Sequence, residues 1–91
     1  MGKFRLKVED RAKTDFAKIY KSGDKASIKK LEKIIEELSN NPKAGTGNPE
    51  QLKHNLLGFW SRRINKKDRL IYQIIEGPDN LVVVVSALGH Y

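Results

Sequence analysis

Apolar residues recur along the chain with two different periods. Phe4, Leu6 and Val8 alternate with Lys3, Arg5, Lys7 and Glu9, the two-residue repeat of a short strand with one buried face. Its charged positions would also guard a sheet edge against stray pairing. From Asp10 the repeat lengthens: Ala12, Phe16, Ile19 and Tyr20 share one helical face, and Gly23 stands where the helix should stop. Asp24 offers the N-cap of a second helix whose apolar stripe is Ile28, Leu31, Ile35 and Leu38, with Glu32, Lys33, Glu36 and Glu37 mostly turned to water. Asn40-Asn41-Pro42 ends that helix, because proline disfavours helical backbone in the residue before it. Lys43 to Pro49, with two glycines, reads as a loop, and Leu52 to Leu57 shows no decisive period. Phe59 to Ile64 and Arg69 to Glu76 read as strands joined by a turn at Asn65 to Asp68. After a second turn at Gly77-Pro78-Asp79-Asn80, Leu81 to Leu88 is apolar on both faces, which places it centrally in a sheet.

This order predicts an α+β fold: a strand, two helices, then a mainly antiparallel three-stranded unit completing a four-stranded sheet with the helices on one face. The other face would be left open to bind something. With 91 residues and no internal repeat, the chain reads as a single domain over residues 1–91 with a small core.

Charge narrows the partners. Lys and Arg number 18 against 11 Asp and Glu, a formal net charge of +7, which suits a polyanion or an acidic protein that neutralises it. The lack of cysteine excludes disulfides and thiolate metal sites and fits a reducing cytoplasm. No apolar run approaches the roughly 20 residues of a membrane span, and the charged, alternating N-terminus lacks the apolar stretch of a signal peptide. The expectation is a cytoplasmic protein without membrane association. Walker loops, nucleophile elbows and zincin helices are absent.

Candidate chemistry concentrates in residues 48–72, where Glu50 is followed by Lys53, His54, Arg62, Arg63, Lys66, Lys67 and Arg69. In the strand from Arg69, the apolar set Leu70, Tyr72 and Ile74 should face the helices, leaving Arg69, Ile71, Gln73 and Ile75 on the open side. A two- or four-residue turn would put Arg62 on the face of Arg69, whereas an odd loop would put Arg63 there; parity alone leaves both open. Of the two histidines, His90 directly follows the buried last strand, which would fix its position. Histidine exchanges protons near neutrality. Two histidines without cysteine make a poor metal set, and the expected chemistry needs no cofactor. A carboxylate base, cations and an acid around a phosphate are what cleavage of RNA by its own 2′-hydroxyl requires. Phe59, Trp60 and Tyr72 are candidates to stack on bases, although a tryptophan within a strand is more often core.

The run Asn-Pro-Glu-Gln-Leu-Lys-His-Asn-Leu-Leu-Gly-Phe-Trp-Ser-Arg-Arg-Ile, then Asp-Arg-Leu-Ile-Tyr and a final Gly-His-Tyr, resembles the Txe/YoeB branch of the RelE/ParE toxin superfamily over about residues 39–91. The N-terminal third matches in layout. The resemblance implies a RelE-like microbial RNase fold and a ribosome-dependent mRNA endonuclease, the toxin of a bacterial type II toxin–antitoxin pair. It also implies a cognate acidic antitoxin (YefM/Axe-like), the 70S ribosome and mRNA as partners, and a homodimer. By motif, Glu50 is the general base, His90 the general acid and Arg69 the phosphate and transition-state stabiliser, with Lys53, Arg63 and Tyr91 supporting. The analogy favours Arg63 over Arg62 at the site. Two other functions would fit the charge: a ParE-like gyrase inhibitor without catalysis, against which Glu50, Arg69 and His90 together argue, and a plain RNA-binding module.

Overall fold

The computed structural model describes residues 3–52 and 58–89. The elements run β1 (Arg5–Val8), α1 (Asp10–Ser22), α2 (Lys25–Leu38), β2 (Glu50–Gln51), β3 (Phe59–Arg63), β4 (Arg69–Ile75) and β5 (Leu81–Gly89). They build one sheet in the order β1-β5-β4-β3-β2, with β1 parallel to β5 and the remaining pairs antiparallel. The sheet therefore has five strands rather than the expected four. The extra strand is only two residues long, too short to carry an alternating pattern, and it pairs Glu50 with Ser61 and Gln51 with Trp60.

Local chemistry explains the helix ends. Gly23 closes α1 in a left-handed conformation with φ of 73°, and its N–H bonds the carbonyl of Tyr20, a backbone shape that costs glycine little. The Asp24 carboxylate then caps α2, accepting from the Ser27 N–H at 3.4 Å and its hydroxyl at 2.7 Å. Ala12 and Ile19 of α1 and Leu31, Ile34 and Leu38 of α2 pack on Ile64, Leu70, Tyr72, Val82, Val84 and Ala87. Burying each leucine or isoleucine side chain contributes about 1.5–3 kcal/mol. Leu70, Tyr72 and Ile74 face this core as the alternation predicts, and β5 is an interior strand between β1 and β4, with β4 at the centre.

In α1 two positions depart from the helical stripe expected above, and in α2 Ile34 is fully buried where Ile35 was expected. Tyr20 is exposed and donates to the Glu32 carboxylate at 3.3 Å, tying α1 to α2. Its place in α1 is taken by Asp15, a buried carboxylate that accepts the Ala87 N–H of β5 at 3.1 Å. That bond serves an irregular part of the sheet. Between Arg69 and Tyr72 the β4–β5 register slips twice, which leaves β5 backbone groups in need of other partners. The far face of the sheet is also less open than expected: Ile71 is only 2 % exposed, and Ser61, Val83 and Ser86 are buried beside it. Among the described residues no helix is long and apolar enough to cross a membrane.

Candidate active site

The turn after β3 decides which arginine belongs to the site. Asn65 accepts the Lys67 and Asp68 N–H groups with its side-chain oxygen, at 2.9 and 2.8 Å, and its amide donates to the Asp68 carboxylate at 2.9 Å. The Ile64 N–H reaches the Asp68 carbonyl at 2.9 Å. An asparagine that closes a turn with its own side chain thus spans residues 64–68, an odd number, and brings Arg63 directly opposite Arg69. Both guanidinium groups rise from the face away from the helices. Glu50 shares that face through its pairing with Ser61, and its Oε2 lies 3.5 Å from Arg69 Nη1. Glu50 keeps 61 % of its side-chain surface exposed and Arg69 24 %.

Like charges in directly opposed positions destabilise a sheet, and here one carboxylate stands against two guanidinium groups. Among the described residues Arg63 has no carboxylate within salt-bridge distance. The arrangement leaves an unbalanced positive patch beside an accessible carboxylate. Exposed guanidinium groups set side by side in this way can bind an oxyanion such as phosphate next to a carboxylate. Gly89, the last described residue of β5, is in register with Arg69, so the chain arrives at the same row immediately before His90. His90, Tyr91, Lys53 and His54 themselves lie outside the described residues.

Arg62 has the opposite environment. It points to the helix side and is fully buried. Its Nε donates to the Tyr72 hydroxyl at 3.1 Å, Nη1 to Glu37 Oε1 at 2.7 Å and to the Thr46 carbonyl at 3.4 Å, and Nη2 to the carbonyls of Asn41 at 2.8 Å and Ala44 at 2.9 Å. Every one of its five N–H groups is thereby matched. Glu37, expected to face water, is instead drawn in as the counter-ion. It also accepts from the Thr46 N–H and hydroxyl, each at 2.7 Å. Burial alone would raise the Glu37 pKa, but the bonds from Thr46 and Arg62 outweigh it and hold the carboxyl below its ordinary value. Tyr72, whose hydroxyl donates to the Pro42 carbonyl at 2.7 Å, is raised by burial, only partly offset by Arg62. Being fully buried, Tyr72 cannot stack on a base. Trp60 packs at the margin of the core, and Phe59 is half-buried on the site face.

The sequence pattern gave no buried role to Asp15, Glu37 or Arg62. For Asp15 a signal existed, an acid interrupting an apolar helical stripe. For Arg62 none did, since its partners come from segments far apart in the chain.

Known proteins are similar to this chain in sequence and in fold. Residues 9–91 match the family described as YoeB-like toxin of bacterial type II toxin-antitoxin system, so the likeness reaches well beyond the C-terminal two thirds. Toxin YoeB of Escherichia coli O6:H1 is 43 % identical over 68 residues, covering 75 % of this chain and 77 % of the relative. Among solved structures, the YoeB dimer from Staphylococcus aureus superposes with a TM-score of 0.78 at 34 % identity, over 97 % of this chain and 98 % of that one. The heterotetrameric YoeB-YefM complex of the same organism gives 0.75 at 33 %, over 98 % and 99 %. With a two-helix, five-stranded mixed sheet on which Glu50, Arg63 and Arg69 share a face, the chain belongs to the YoeB-like toxin family of bacterial type II toxin–antitoxin systems.

Proposed function

We propose that this chain is a ribosome-dependent mRNA endonuclease that cuts by general acid and base catalysis. The observation that carries the reading is the convergence of Glu50, Arg69 and Arg63 on one face, with Glu50 Oε2 at 3.5 Å from Arg69 Nη1. In the proposed reaction the Glu50 carboxylate takes the proton of a 2′-hydroxyl, and that oxygen attacks the neighbouring phosphorus. Arg69, with Arg63 beside it, balances the negative charge that gathers on the phosphoryl oxygens. His90 gives a proton to the departing 5′-oxygen as its bond to phosphorus breaks. The products are a 2′,3′-cyclic phosphate and a 5′-hydroxyl. Lys53 and Tyr91 support substrate binding. Nothing in these steps calls for a metal.

The partners follow the same reasoning. Relatives from Staphylococcus aureus form a dimer and a complex with the antitoxin YefM; for this chain we infer a homodimer and an acidic cognate antitoxin that neutralises the +7 charge. Action on ribosomes places it in the cytoplasm.

The test combines purified chain with translating ribosomes and maps the ends of the cleaved message. Cyclic phosphate ends are expected from the native chain, with cleavage nearly lost in Glu50→Gln and His90→Ala. Intact message, or ends bearing a 3′-hydroxyl, would overturn the reading. Expression in cells should arrest growth with the native chain and not with either variant.

A further inference from the structure

Glu50 sits at the end of a long connection that is bonded at three carbonyls by one buried side chain. Between α2 and β2, residues 39–49 contain no helix or strand, and such segments need partners for their backbone groups. Arg62 supplies them, bonding the carbonyls of Asn41, Ala44 and Thr46 while its fifth neighbour, Tyr72, bonds that of Pro42. Glu37 grips the same loop from the helix side through the Thr46 N–H and hydroxyl.

Directly beyond Thr46 the loop meets the active-site strand. The Arg63 N–H donates to the Gly47 carbonyl at 2.7 Å. Gly47 has φ of 87°, and a Cβ there would lie 2.8 Å from the Arg63 carbonyl oxygen, so only glycine fits so near the strand. Three residues later Glu50 enters the sheet opposite Ser61.

We propose that Arg62 is a positioning residue for Glu50: its buried guanidinium moulds the 41–46 segment, and this sets the carboxylate at salt-bridge distance from Arg69 on the opposite face of the sheet. The proposal rests on the catalytic reading of Glu50 given above. A buried ion pair is a weak source of net stability, and apolar replacements often serve as well. A guanidinium with three loop carbonyls as acceptors does what an apolar side chain cannot, because it dictates the path of the backbone.

The experiment compares native chain and Arg62→Lys, whose ammonium cannot satisfy five acceptors in a plane. Hydrogen exchange is read at the amides of Thr46, Arg63 and, as a core reference, Val84; cleavage on translating ribosomes is read as kcat and KM. We expect exchange at Thr46 and Arg63 to quicken by roughly tenfold or more with Val84 unchanged, and kcat to fall by roughly 10- to 100-fold at constant KM. In a Glu50→Gln background the same substitution should alter the residual rate by no more than about twofold. Unchanged exchange at Thr46 and Arg63, or a loss that multiplies independently of Glu50→Gln, would overturn the proposal. Should Arg62→Lys not fold, Thr46→Val, which removes only the hydroxyl bond to Glu37, must shift both readouts in the same direction by less. A native chain that cleaves nothing would sink the catalytic reading alone, while the exchange data would still decide whether Arg62 orders the loop.

Discussion

Arg62 and Arg63 are adjacent in β3 and carry the same charge, yet the first is shut inside with an acceptor for each N–H and the second stands exposed opposite Arg69. A two-residue period sends neighbours to opposite faces, so one strand holds together a loop on the helix side and displays charge on the other. The difference is one of saturation. A guanidinium whose donors are all used has nothing left to offer a ligand, and a guanidinium without a carboxylate partner beside a second cation gains most from an arriving anion. Burial and exposure are thus structural and functional versions of the same residue, separated by one peptide unit.

The comparison would break most sharply at the exposed face. Glu50→Gln and Arg69→Ala should each lower cleavage by roughly 10²- to 10⁴-fold while their unfolding midpoints in denaturant stay near that of the native chain. A matching loss of stability would mean that these residues support the fold rather than the reaction. Next in size, Arg62→Ala should destabilise by about 3–5 kcal/mol, since it strands the Glu37 carboxylate and three loop carbonyls; urea unfolding followed by tryptophan fluorescence measures it.

A pH series sharpens the buried half. Because the folded-state pKa of Glu37 is depressed, the unfolded chain takes up the proton first as acid is added. The stabilisation is complete above the ordinary glutamate value of 4.5 and is lost as pH falls below it. Thermal midpoints should therefore drop below about pH 4.5, and Glu37→Gln should flatten that part of the profile. The smallest effect belongs to Arg63→Ala. It should change stability by no more than about 0.5 kcal/mol and reduce the salt slope of ribosome binding by about one counterion. A salt slope equal to that of the native chain would remove Arg63 from the binding face.

The periodic parts of this fold were legible in the residues. Alternation in β4 assigned Leu70 and Tyr72 to the core, the doubly apolar β5 marked itself as an interior strand, though β4 and not β5 is the middle one, and Gly23 and Asp24 marked the boundary between helices. What periodicity could not carry was parity across the β3–β4 turn, which depends on how Asn65 folds its side chain back on the backbone. Nor could it reveal β2, whose two residues become a strand only because β3 lies alongside. Glu37 looked like a solvated helix position because its partner is 25 residues away in sequence. The motif residues Glu50, Arg63 and Arg69 were found as a set by resemblance, and the structure brings them to one face; His90, Lys53 and Tyr91 fall outside the described residues.

The parallel pairing of β1 with β5 sets an order on how the protein comes into being. Residues 5–8 lie beside residues 81–84, so the first strand made has no neighbour until the last strand of the sheet has been synthesised. β4 likewise lacks the partner with which it shares its longest border. A nascent chain emerging from a ribosome can build its helices and the β3–β4 hairpin early, but the complete sheet can assemble only after residues 81–89 have been made. Synthesis and assembly are separated in time, and the face that carries Glu50, Arg63 and Arg69 belongs to a finished sheet only once residues 81–89 have been made.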